Sequence, residues 1–266
     1  ATGLKKVEMM KPAEAEKLVR DAHLLSEAGD TAWVEEPGYP GAKSVFMKAG
    51  LQVKGMPVDS EGMCPDMDEN LPPRLIFTSP SHQYPCGAVM SAGRRLALLE
   101  YARQHDAWIV EDDYDSEFRY SGEPVPAMSG MMKQAPVVYI GTFSKTLYPG
   151  LRLGYVVIPR PLVSDLKHAH AELYRGGHSL IQMALAEFIT AGHYSAHIRR
   201  MRLLYSRRRA FLTELIQRHC MPYALSDFSD NAGLHLILNL PDEADDVAIA
   251  LDANARHILV RPLSRY

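Results

Sequence analysis

The feature that most constrains this chain is a repeated change of hydrophobic period. Between residues 31 and 158, short strand-like runs alternate with segments of helical apolar spacing. TAWVE at 31–35 reads as a strand, EPGYPG as a turn, AKSVFMKAG as a helix and LQVKGMPV as a second strand. The polar, proline-rich segment 59–73 reads as a loop, RLIFTSP as a strand, SAGRRLALLEYARQH as an amphipathic helix and AWIVE at 107–111 as a short buried strand. Strands separated by helices return in parallel, because a parallel connection needs a crossover. The predicted fold is therefore α/β, a mostly parallel sheet flanked by helices. Residues 12–27 carry a further helical pattern, ended by AGD.

After Pro159-Arg160-Pro161 the pattern becomes mostly helical through 219, including the long HYSAHIRRMRLLYSRRRAFLTELIQRHC. GLHLILNL at 233–240 reads as a strand, DEADDVAIALDANAR as a helix and HILV as a final strand. The expected division is a larger unit over 1–195, with an N-terminal part missing, and a smaller α+β unit over 196–266. The smaller unit stops at RPLSRY directly after a strand, so it reads as truncated and the chain as a fragment. In the basic run 197–209 the apolar residues Ile198, Met201, Leu203, Leu204 and, beyond it, Phe211 mark a packed helix face. That pattern fits a solvated or interdomain helix better than a nucleic-acid surface.

Composition removes other classes. Charged residues make up 23% and the net charge is −3, which does not suit a chain built to coat nucleic acid or an anionic membrane. No run approaches the roughly 18 apolar residues of a membrane span, and the N-terminus lacks an apolar signal core. Three scattered cysteines, Cys64, Cys86 and Cys220, argue against a disulfide framework or zinc cluster and fit a cytoplasmic protein. His168, His170 and His178 lack carboxylate partners at ligand spacing, so no metal is expected.

The segment VYIGTFSKTLYPGLRLGYVV, residues 138–157, sets one lysine between two strand-like runs, with hydroxyls before it and an arginine seven residues after. A lysine beside a buried strand loses hydration, which favours its neutral amine, and a neutral amine forms Schiff bases with aldehydes. Arginine and a hydroxyl suit a phosphate dianion. A ligand with both groups is pyridoxal 5′-phosphate. Its ring nitrogen calls for a carboxylate, and EDDYDSEF at the end of AWIVE offers Asp112 or Asp113 at the edge where parallel sheets bind ligands.

Four blocks carry a resemblance: WVEEPGYPGA, TSPSHQYPCG, VEDDYDSEFRY and GTFSKTLYPGLRLGYVVIP. Together with AGHYSAHIRRMRLLYSRRRAFL they resemble the fold-type I pyridoxal-phosphate proteins. More narrowly, they resemble the aminotransferase-like domain of MocR/GabR-type regulators of the GntR superfamily. The resemblance implies Lys145 as the lysine of the internal aldimine, Asp112 as the partner of the pyridine nitrogen and Tyr114 as the phenol near the ring oxygen. It implies Thr142 and Arg152 as phosphate contacts, and Tyr39 as the residue stacked on the ring. SHQYPCG lines the crevice, and Tyr84 before Pro85 fits the regulator branch better than the Asn-Pro of many aminotransferases. Two departures stand out: Glu14 and Glu16 occupy the region where the family holds phosphate, and Arg261 and Arg265 match no motif position for a substrate carboxylate.

The resemblance implies a sensor domain that exchanges the internal aldimine for an amino ligand. It also implies a homodimer and a DNA-binding winged-helix module outside this chain. The alternatives are a working aminotransferase, with Lys145 also moving the Cα proton, and an interaction domain that has lost the cofactor.

Overall fold

Consecutive apolar residues on each central strand are buried on opposite faces of one sheet. In the computed structural model, strands β2 (Thr31–Glu36), β5 (Leu75–Thr78), β6 (Trp108–Asp113) and β7 (Val137–Thr142) send Val34, Phe77, Val110 and Val138 into one hydrophobic cluster. Their neighbours Trp33, Ile76, Ile109 and Val137 enter a second cluster. Side chains alternate along a strand, so a run apolar at every position needs cover on both faces. The structure describes residues 8–10, 25–65, 67, 71–123, 125–174, 179–220, 224–225 and 232–266.

The remaining strands are β1 (Glu8–Met10), β3 (Gln52–Asp59), β4 (Gly62–Met63) and β8 (Gly154–Val157), and the sheet order is β1-β8-β7-β6-β5-β2-β3-β4. β3, β2, β5, β6 and β7 are mutually parallel. β8 runs antiparallel to β7, β1 to β8 and β4 to β3. The α/β expectation holds.

Helix α1 (Pro40–Lys48) covers one face through Ala42 and Phe46, and α2 (Ala92–Gln104) covers the other through Leu98 and Leu99. Ser91 caps α2 by accepting from the Arg94 N–H at 3.2 Å, satisfying one of the first-turn donors. The short α3 (Met128–Met131) follows β6, and α4 (Val163–Tyr174), α5 (Ser179–Thr190) and α6 (His193–His219) supply the helical stretch expected over 162–219. Position 195 lies in the first turn of α6, which runs on without a break.

Several local expectations need correction. Part of the 59–73 loop is strand: Gly62 and Met63 fold back on Asp59 and Val58 as a hairpin. Within 233–240 only Leu238–Asn239 (β10) is a strand, paired with β9 (Ala224–Leu225). The backbone of Gly233 instead bonds to the Phe118 carbonyl and the Tyr120 hydroxyl. The HILV strand does not form, and Leu259 is 88% exposed. Its successor is a 3-10 turn, Leu263–Arg265, pinned to α7 (Asp246–Ala255) where Ser264 donates to Asp246 through its N–H at 2.9 Å and its hydroxyl at 2.7 Å. On α6 only part of the expected apolar face is covered: Ile198 is buried, whereas Leu203 and Phe211 are exposed. The 12–27 helix, Glu14, Glu16 and His178 lie wholly or mainly outside the described residues. No helix among the described residues is long and apolar enough to cross a membrane.

Candidate functional site

The parallel strands end together at their carboxyl edge, and the loops that leave them enclose a cavity of about 960 Å³. All seven sequence-predicted residues line it: Tyr39, Tyr84, Asp112, Tyr114, Thr142, Lys145 and Arg152. They come from four separate connections, so only the sheet brings them together.

Tyr39 follows β2 and stacks on Phe77, with ring centroids 6.4 Å apart. Gly41 makes room for it, since a Cβ there would lie 2.5 Å from the Tyr39 ring. Tyr84 meets Tyr39 and Tyr114 edge-on, at 6.5 and 6.2 Å between centroids. Its hydroxyl lies 2.8 Å from that of Tyr266. The peptide bonds before Pro37 and Pro85 are cis.

Asp112 and Tyr114 sit at the end of β6. Burial, followed by the Asp115 and Asp112 carboxylates, pushes the Tyr114 phenol well above its ordinary value. The intervening Asp113 is structural: it accepts from the Ser116 hydroxyl at 2.7 Å and from the Tyr139 hydroxyl. Asp115 is buried against His82. Of the two acids the sequence offered for the ring nitrogen, Asp112 lines the cavity and Asp113 does not, while Asp115 also reaches the cavity wall.

Thr142 ends β7, and its hydroxyl accepts the Ser144 N–H at 3.1 Å. Lys145 lies in the turn beyond, and its side chain is exposed rather than buried as the sequence argument required. The chain leaves the sheet at Thr142, and three residues later it stands on the open side of the cavity. Arg152 closes a 3-10 turn with a left-handed φ of 52° and is exposed.

Sequence reasoning missed some of the wall. Ser144 lines the cavity with a buried hydroxyl that has no hydrogen-bond partner among the described residues. Its signal was its place immediately before the lysine. Arg261, Arg265 and Tyr266 also line the cavity, although no motif marked the arginines. His235 joins them, and burial, aided by His82, holds its imidazole down to about 4, hence neutral near pH 7. Among the described residues no carboxylate pairs with Lys145, Arg152, Arg261 or Arg265. A cavity with four unmatched cations and an orphan hydroxyl is chemically suited to an anionic ligand.

The family model for aminotransferase class I and II matches residues 19–266. The chain belongs to this family. Its fold agrees: the kynurenine aminotransferase of Pyrococcus horikoshii, solved in complex with PMP, superimposes with a TM-score of 0.87 at 26% identity, over 98% of this chain and 67% of that one. Among curated relatives, the probable rhizopine catabolism regulatory protein MocR of Rhizobium meliloti is 41% identical over 92% of this chain and 49% of its own length. The HTH-type transcriptional regulator TauR of Rhodobacter capsulatus is 35% identical over 91% of this chain and 49% of its own. The aminotransferase-like domain is therefore of the MocR type. This chain spans about half the length of the curated relatives it matches.

Proposed function

We propose that this chain is the pyridoxal-phosphate-binding sensor domain of a MocR/GabR-type transcriptional regulator. The observation that carries the reading is the convergence of Lys145, Asp112, Tyr114, Thr142, Arg152, Tyr39 and Tyr84 on one cavity whose cations have no carboxylate ion-pair partner among the described residues. The residues present fit the cofactor: the unpartnered Ser144 hydroxyl, Thr142 and Arg152 would form a donor set for its phosphate, and Gly41 leaves room for the Tyr39 ring at the cavity wall.

When bound, the cofactor supplies an aldehyde that condenses with amines and a ring that takes up electrons. In this reading Lys145 holds the aldehyde carbon, Asp112 keeps a proton on the ring nitrogen and Tyr114 serves the ring oxygen. Lys145 would be the amine that an incoming amino compound competes with for that aldehyde. The segments that close the cavity, 234–235 and 260–266, then meet different contents, and a bistable docking of the DNA-binding part reads the difference. A winged-helix module outside this chain, a homodimer, a cytoplasmic location and the division into units 1–195 and 196–266 belong to the same proposal.

The second reading is a working aminotransferase, favoured by the likeness to the Pyrococcus enzyme. Lys145 then also moves the proton at Cα of an amino acid.

Reconstitution decides between them. Full-length protein with pyridoxal phosphate is expected to gain a visible band, and borohydride is expected to fix the cofactor to Lys145 and not to a Lys145→Ala variant. Amino-acid-dependent turnover of 2-oxoglutarate would favour the enzyme. A protein that stays colourless and unmodified overturns both and leaves an interaction domain.

A further inference from the structure

His82 is a buried group that the cofactor reading does not use. Its side chain is 1% exposed. Its Nδ1 lies 3.0 Å from Asp115 Oδ2, 3.2 Å from Asp115 Oδ1 and 3.0 Å from the Tyr114 hydroxyl oxygen. An ionised carboxylate only accepts, so the contact with Asp115 places a ring proton on Nδ1. A nitrogen that carries a proton cannot accept one from Tyr114. The tyrosine oxygen therefore shares the Nδ1 proton as a second acceptor, and its own proton is left for an acceptor elsewhere.

The other nitrogen agrees. His82 Nε2 is buried with no partner among the described residues, and an N–H there would be an orphan donor. The pair is also held from behind. Asp115 Oδ2 accepts from the Leu234 N–H at 3.3 Å, and the His235 ring lies 4.6 Å from that of His82. Tyr114 is flanked by Asp112, Asp115, Glu35 and Tyr84, none of which is a cation.

We propose that His82, oriented by Asp115, is a positioning residue that turns the Tyr114 hydroxyl proton into the cavity. The proposal rests on the cofactor reading, in which Tyr114 donates to a ring oxygen. A donor there stabilises the deprotonated oxygen, so its loss raises the pH at which the neighbouring chromophore gives up its proton.

Two measurements test this. In cofactor-free full-length protein labelled with 15N-histidine, the His82 signal is assigned by its absence in His82→Asn. A proton on Nδ1 is expected, and a bare Nδ1 overturns the proposal. In reconstituted protein, the pH midpoint of the visible band is followed in Tyr114→Phe, His82→Leu, His82→Asn and the double variant Tyr114→Phe/His82→Leu. Tyr114→Phe is expected to raise the midpoint by about one unit. His82→Leu is expected to raise it by at least half as much, and not at all once Tyr114 is Phe. His82→Asn, which keeps an N–H donor near the position of Nδ1, is expected to hold the midpoint close to that of wild type. An equal effect of His82→Leu with and without the Tyr114 hydroxyl marks a merely structural residue and overturns the proposal. A wild-type protein that takes up no pyridoxal phosphate overturns the cofactor reading instead, and the nitrogen measurement still decides the His82–Tyr114 geometry.

Discussion

Gln83 and Glu35, both buried, meet 3.1 Å apart beneath the cavity wall. The Gln83 amide nitrogen also donates to the carbonyls of Pro37 at 2.9 Å and Tyr84 at 2.7 Å, and its oxygen accepts the Cys86 N–H. One side chain thereby ties the turn that carries Tyr39 to the loop that carries Tyr84. Glu35 adds bonds from the Thr78 hydroxyl at 2.7 Å and the Ser79 N–H at 3.0 Å, with no cation among its partners in the described residues.

Burial pushes the Glu35 carboxyl up to about 7, against the hydrogen bonds from Thr78, Ser79 and Gln83 that pull it down. The folded state then keeps a proton that the unfolded chain releases above its ordinary value of 4.5. Stability from this group is full below that value, falls as pH rises to about 7 and is flat beyond. Urea unfolding of wild type is expected to lose on the order of 2–3 kcal/mol more between pH 5 and 8 than Glu35→Gln. Parallel pH profiles for the two would show that Glu35 titrates normally.

The phosphate assignment predicts a selective defect. Arg152→Gln removes a charge-assisted donor of roughly 1.5–3 kcal/mol, so the affinity for pyridoxal phosphate is expected to fall about ten- to a hundredfold. Ser144→Ala removes a neutral donor and is expected to cost less. Titration with pyridoxal, which lacks the phosphate, is the control: wild type and both variants are expected to bind it alike. Equal losses for both ligands would place Arg152 and Ser144 elsewhere in the site.

Arg95 is fully buried and donates to three carbonyls, those of Met90 at 3.0 Å, Pro80 at 2.7 Å and Pro126 at 2.9 Å. Arg95→Met keeps much of the volume and strands all three acceptors. The expected loss is on the order of 3 kcal/mol in chemical unfolding. Because Pro80 begins the loop that carries His82 and Tyr84, cofactor affinity is expected to fall with it. A variant as stable as wild type would mean that the carbonyls find other donors.

What was legible in the sequence was whatever depends on period or on a short block. The parallel strands were readable because strand-like runs alternate with segments of helical spacing, and the structure adds that Trp33-Val34, Ile76-Phe77 and Ile109-Val110 are buried at adjacent positions, with cover on both faces. The cavity residues were readable because Asp112, Thr142 and Lys145 end strands or follow them directly. The HILV segment misled because an apolar run specifies a strand only where a neighbouring strand offers hydrogen bonds, and here the Ser264–Asp246 contact fixes the chain otherwise. His82 and Asp115 lie 33 positions apart, and nothing local in SHQ or DYD announces their pairing. Lys145 exposed its side chain for a related reason: strand burial ends at Phe143, and hydration is set by the turn beyond.

Gly233 offers the sharpest steric test of how the C-terminal segment meets the cavity. Its φ is +85°, and a Cβ there would sit 1.7 Å from His82 Cε1. The backbone cannot slide away freely, since the Gly233 N–H bonds to the Phe118 carbonyl at 2.9 Å and its carbonyl accepts from Tyr120 at 3.0 Å. Gly233→Ala is expected to destabilise the protein by about 2–4 kcal/mol, of which roughly 1–2 reflects the left-handed backbone alone. The clash share depends on the imidazole. In a His82→Ala background it disappears, and Gly233→Ala is expected to cost only the backbone part. A double-mutant cycle on unfolding free energy reads the difference as a coupling of about 1–2 kcal/mol. Additive effects of the two substitutions would mean that Gly233 and His82 are not in contact in solution.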